Sequence, residues 1–164
     1  MLPQLSALGW FHTLGSLPAV PIGLILLLMH GRIDPATRWG KAYLAFMFIG
    51  AISAIFVIKT PPGAAVAALS LISLTVGATV GFIKPLAHYR WSIETIALSV
   101  SYFTLLLPSV TETLTRLPAG DPVASGVEDP LVVGFQLTLL VLLILGVTLQ
   151  LLSRRRRLSA TALA

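Results

Sequence analysis

The chain has 164 residues, of which 56% are hydrophobic and 10% charged, with a mean hydropathy of +0.93. A domain that faces water carries about 25% charged residues, so this composition excludes a soluble surface and points to lipid as the solvent. The formal net charge is +5 and there is no cysteine, which removes disulfides, iron–sulfur clusters, thiolate metal sites and a cysteine nucleophile.

In lipid, every backbone N–H and C=O must be satisfied inside helices or a closed barrel. The apolar runs are continuous rather than alternating, so they predict helices. The first runs from about Leu8 to His30 and is closed by Arg32, Asp34, Pro35 and Arg38. No basic residue precedes Arg32, so a cleavable signal peptide is not expected. Pro18 and Pro21 fall in mid-span, where proline frees a carbonyl and bends a helix. Transporters use such bends beside their substrate sites, and static bundles carry them too. Gly15, Ala19 and Gly23 follow at four-residue spacing, a smooth face for close helix approach.

The second span runs from about Trp39 to Ile58, with Gly50 and Ala54 at the same spacing, and stops at Lys59-Thr60-Pro61-Pro62-Gly63. The third, about Ala64 to Ile83, carries Ser73, Gly77 and Gly81 on one face and is closed by Lys84-Pro85. The fourth starts near Trp91 and continues past Pro108 to about Leu117. After a polar loop from Pro118 to Pro130, the fifth runs from about Leu131 to Leu152 and ends at Arg154, Arg155, Arg156 and Arg157. Each segment has roughly the 20 residues that a bilayer requires. The expected architecture is an all-α membrane protein: a single five-helix domain over residues 1–153 and a basic tail over 154–164. Spans one to four are expected to form a bundle, with the Leu/Val-rich fifth more peripheral.

Charge sets the expected orientation. Arg32, Arg38, Lys41, Lys84, Arg90 and the four terminal arginines fall at one end, nine basic residues, against Lys59 and Arg116 at the other. The basic end is expected in the cytoplasm and the N-terminus outside. This placement also accounts for the high pI without nucleic acid. The arginine run reads as a stop-transfer anchor or as a contact for anionic lipid.

Few groups offer chemistry. His12, one turn into the first span, is a candidate haem ligand, quinone partner or proton relay, or else an interfacial histidine bonded to a neighbouring helix. His30 and His88 fall together at the basic end as a candidate shared ligand pair, or as cap and loop residues. About 18 residues of helix, roughly 27 Å, separate His12 from His30, so the three cannot form one site. Glu94 and Glu112 are equally far apart, and each has an arginine four positions away, Arg90 and Arg116, with which it can pair. Glu112, with Thr111 beside it and Pro108 a turn earlier, is a candidate for a small polar cavity or for that local ion pair. Phosphate-binding loops, dinucleotide fingerprints, zinc-type helices and serine elbows are all missing, so no catalytic residue and no metal site is assigned.

His12, Gly15, Gly23 and Gly31, followed by Thr37-Arg38-Trp39-Gly40-Lys41-Ala42-Tyr43 and Met47, and the later stretch Ser101-Tyr102-Phe103 to Arg116-Leu117-Pro118, resemble a bacterial family of membrane proteins of unknown function, over about the first 118 residues. Its pattern joins a membrane histidine and spaced glycines to a His-Arg-x-x-Gly-x-x-Tyr helix entry. The resemblance implies the same helical fold. Thr37 stands where the family has a loop histidine, and Glu94 where another is often found, so any haem or metal ligands of that kind are replaced here. Three functions are thus expected in order: a non-enzymatic accessory subunit packing with other subunits and lipid in a bacterial inner membrane, without a cofactor; a haem- or quinone-binding redox protein; and a small transporter or channel.

Overall fold

The computed structural model describes residues 6–58 and 60–162, with side chains placed as far as Arg156; Lys59 and the side chain of Arg157 lie outside that description. The described residues form six α-helices and two short 3₁₀ turns, with no strand: α1 (Ala7–Ser16), α2 (Ala19–His30), α3 (Arg38–Val57), α4 (Pro61–Thr79), α5 (Arg90–Arg116) and α6 (Pro130–Ala162), the 3₁₀ turns covering Val80–Phe82 and Lys84–Leu86. Five segments are long and apolar enough to cross a membrane, because α1 and α2 together make one of them, Ala7–His30.

Local chemistry explains the boundaries. Ser6 caps α1 by accepting the Gly9 N–H at 3.1 Å, and Thr37 caps α3 by accepting the Gly40 N–H at 3.0 Å. The first span, expected as one bent helix, is broken at Leu17–Pro18. Pro18 has no N–H to continue the ladder, and the chain resumes through a tighter Val20 N–H to Leu17 O bond of 3.1 Å. Gly31 ends α2 in the left-handed region at φ 70, its N–H bonded to Leu27 O. Thr60 and Pro61 open α4. Pro108 is absorbed within α5, the longest of the five helices before α6 at 27 residues. Asp129 opens α6 by accepting the Leu131 N–H at 2.9 Å. At 33 residues α6 is about 50 Å long, well beyond an apolar core of about 30 Å, so the arginine run continues the helix instead of beginning a separate coil.

The helices pack in a folded chain of neighbours: α3 lies against α1, α2 and α4, while α5 lies against α4, α6 and, through Tyr102, the turn of α2 that carries Val20 and Gly23. Where lipid surrounds the bundle, burial of apolar surface does not distinguish neighbour from solvent, and close packing with hydrogen bonds holds helices together. Glycines mark the closest approaches. A Cβ on Gly15 would lie 2.7 Å from Ile49, one on Gly23 2.5 Å from the Tyr102 ring, and one on Gly77 2.5 Å from Leu98. Ala19 and Ser73 are buried beside them. At the centre, Tyr43 and Ser101 share a 2.8 Å bond between hydroxyls, and the Tyr102 hydroxyl donates to Val20 O at 3.0 Å. The fifth span stands apart: 6% of its apolar window is buried, against 50% for α5.

Candidate functional site

The most elaborate polar arrangement lies at the arginine-rich end, where the Gly31–Thr37 loop, the start of α5 and the C-terminal half of α6 meet. Glu94 is one turn inside α5 and its side chain is 4% exposed. It accepts Arg90 Nε at 2.7 Å from its own helix and Arg32 Nη2 at 3.1 Å from the loop. Burying a carboxylate to this degree is costly unless such partners face it. Arg32 also reaches Asp34 at 3.2 Å and is itself 12% exposed, whereas Arg90 is 47% exposed.

Trp91 fills the space between two cations. The Arg32 guanidinium lies 5.1 Å from its ring centroid and that of Arg154 lies 4.7 Å away, both within the roughly 6 Å over which a ring attracts a cation. Arg154 donates in addition to Ser92 Oγ at 3.0 Å. One turn earlier on α6, Gln150 donates to Gly31 O at 2.8 Å and accepts from Ser99 Oγ at 3.2 Å. Loop, α5 and α6 are therefore tied by side chains 50 to 120 residues apart in sequence. A cavity of about 290 Å³ opens among them, bordered by Arg32, Asp34, Ala36, Ala87, Trp91 and Arg154 as well as Arg90 and Glu94. Arg32 Nε and Nη1 are buried without an acceptor.

His12 is held by a neighbouring helix. His12 Nδ1 lies 3.0 Å from Gly50 O and 3.0 Å from Ser53 Oγ, both on α3. A carbonyl only accepts, so the Gly50 bond requires a proton on Nδ1. Ser53 directs its own hydroxyl to Ile49 O at 2.6 Å. An apolar groove of about 360 Å³ runs nearby between α1 and α3, lined by Leu8, Phe11, Ile49, Ile52, Ser53 and Phe56 along with Phe48. His30 is exposed at the end of α2, and His88 is exposed in the turn before α5 with its ring edge-on to Tyr89 at 5.0 Å. No group of three or more His, Asp or Glu side chains suited to a metal ion occurs among the described residues.

Glu112 and Thr111 face different neighbours. Glu112 is 53% exposed and paired with Arg116, while Thr111 accepts from Gln136 Nε2 of α6 at 3.0 Å. The geometry sets Glu112 in a surface ion pair with Arg116 and Thr111 in a contact between α5 and α6. Gly81 sits under Arg90, where a Cβ would come within 2.9 Å of the guanidinium carbon. Arg154, Arg155 and Arg156 lie on the continuing helix α6, and only Arg154 borders the cavity. The Arg32–Glu94 pair was not legible in the sequence. The available signal was that Glu94 is a carboxylate inside a span, at the end where nine cations collect.

Compared with known proteins, the chain matches no family model, no curated protein and no solved structure.

Proposed function

We propose that the chain is a small non-catalytic subunit of a bacterial inner membrane, packed against larger membrane subunits such as those of an energy-transducing complex. The nine-to-two distribution of basic residues supports an outside N-terminus and a cytoplasmic arginine-rich end. The observation that carries the reading is the destination of the polar groups. Glu94, Asp34, Glu112 and Asp129 all engage donors of this chain, and the buried hydroxyls of Tyr43, Tyr102 and Ser53 find their hydrogen-bond partners within it too. What faces outward along the spans is apolar, above all on α6, where Leu142, Leu145 and Leu149 are exposed. Such a molecule is built to hold its own shape and to offer helices.

Photo-crosslinking residues placed at Leu142 or Leu145, and at the buried Leu98 for comparison, test this in cells. The reading predicts a discrete adduct with a different membrane polypeptide from the α6 positions and none from Leu98. Adducts to lipid or to a second copy alone contradict it.

A second reading, a haem- or quinone-binding redox protein, is favoured by His12. With Nδ1 held by α3, its Nε2 has no hydrogen-bond partner among the described residues, and the apolar groove lies alongside. It predicts a reducible visible absorption band or a co-purifying quinone, lost in His12→Gln; colourless protein free of quinone removes it.

A further inference from the structure

We infer that the cavity between the Gly31–Thr37 loop, α5 and α6 is a binding site for the phosphodiester of an anionic phospholipid. The site needs only that the five spans lie in a bilayer, and does not depend on whether the chain has protein partners.

Three guanidiniums, from Arg32, Arg90 and Arg154, border the cavity together with two carboxylates, Glu94 and Asp34. Both carboxylates are already engaged: Glu94 by Arg32 and Arg90, Asp34 by Arg32. One positive charge remains, which suits a monoanion. The donors left over agree in kind. Arg32 Nε and Nη1 are buried without an acceptor, a condition that is unfavourable for any N–H and more so for a charged one. Arg154, which borders the cavity, uses one nitrogen on Ser92 and its face on Trp91, and among the described residues no further acceptor takes its remaining donors. An oxygen-rich anion in the cavity meets the more accessible guanidiniums of Arg90 and Arg154, whose planar forks match phosphate oxygens, while the buried Arg32 adds its charge from behind.

Position selects lipid over a soluble phosphate. The cavity lies where α2 ends, α5 begins and α6 leaves the apolar span, the depth at which headgroups and interfacial tryptophans are found. Leu28 and Met29, one turn before Arg32, are 77% and 73% exposed and offer apolar surface for acyl chains. At about 290 Å³ the space fits a headgroup better than a larger ligand. Basic pockets between helices at this depth are suited to anionic headgroups.

Native mass spectrometry of the purified protein in mild detergent, titrated with phosphatidylglycerol or phosphatidylcholine, tests the site. Wild type is expected to bind the first at least tenfold more tightly. Arg154→Gln should reduce phosphatidylglycerol affinity at least tenfold, whereas Arg156→Gln, an equal change of charge on the exposed side of the same helix end, should lose no more than the roughly fivefold of diffuse attraction. Arg154→Lys keeps the charge and removes the planar stack on Trp91, so it should also lose most of the preference. Equal losses in the two glutamine variants, full retention in the lysine variant, or no lipid preference in wild type would overturn the site. Competition by millimolar inorganic phosphate as effective as phosphatidylglycerol would overturn the lipid as its occupant.

Discussion

Replacement of Glu94 by glutamine removes the charge that two arginines share and leaves the volume unchanged. The two arginines do not suffer equally. Arg90 is 47% exposed and can turn its guanidinium to water or headgroups, so its half of the cluster behaves as a surface pair worth at most about 1 kcal/mol. Arg32 is 12% exposed and has nowhere to turn. Removing one member of a buried pair costs about 3–5 kcal/mol, because a charge is left in a poorly solvated place. Arg32 keeps Asp34 and the Trp91 face, which puts Glu94→Gln near the lower bound, about 3 kcal/mol. Unfolding by sodium dodecyl sulfate, followed by helical circular dichroism, measures this. Double-mutant cycles with Arg32→Met and Arg90→Met apportion it, and the coupling to Arg32 should exceed that to Arg90. A loss below about 0.5 kcal/mol, or stronger coupling to Arg90, would refute the burial argument.

Other consequences are equally direct. Gly23→Ala places a methyl group 2.5 Å from the Tyr102 ring and should destabilise by about 2 kcal/mol through overpacking; Gly146→Ala, with no atom within 4 Å, should be neutral or up to about 1 kcal/mol stabilising, and the same melts compare them. Thr95 Oγ1 is buried without a partner, so Thr95→Val should gain about 1 kcal/mol; a loss of stability contradicts the assignment. Asp129 accepts the backbone N–H of Ser125, that of Leu131 and the Ser125 hydroxyl, which hold its carboxyl below the usual 3.8. Its contribution to the order of the α6 entry is therefore complete above the unfolded value and is lost as pH falls through the lower folded one. Amide resonances of Ser125 and Leu131 should titrate together with a midpoint below 3.8, and a midpoint at or above it refutes the cap.

The five spans were legible because the signal is local: runs of apolar residues closed by charged or proline-rich stretches. The i,i+4 pairs Arg90–Glu94 and Arg116–Glu112 were legible for the same reason, since a helix fixes its own register. Two features were not. Proline in a span predicts a bend, but whether Pro18 curves the first helix or divides it depends on what packs there; Tyr102, which bonds Val20 O, comes from the fourth span. Likewise, Arg32 reaches Glu94 and Arg154 reaches Trp91 across 62 and 63 positions, distances on which periodicity is silent. Hydropathy places a residue at a depth in the bilayer; it does not say which helices become neighbours around it. Thr111 shows the same limit, because its partner Gln136 belongs to another helix.

The central claim, that this chain works as a packing subunit, is tested most directly by the native mass and composition of affinity-tagged protein extracted in a mild detergent. The account predicts an assembly well above the 17.4 kDa of one chain, containing other membrane polypeptides in fixed proportion. A monomer, or an oligomer of this chain alone, would contradict it and direct attention to His12 and the redox reading.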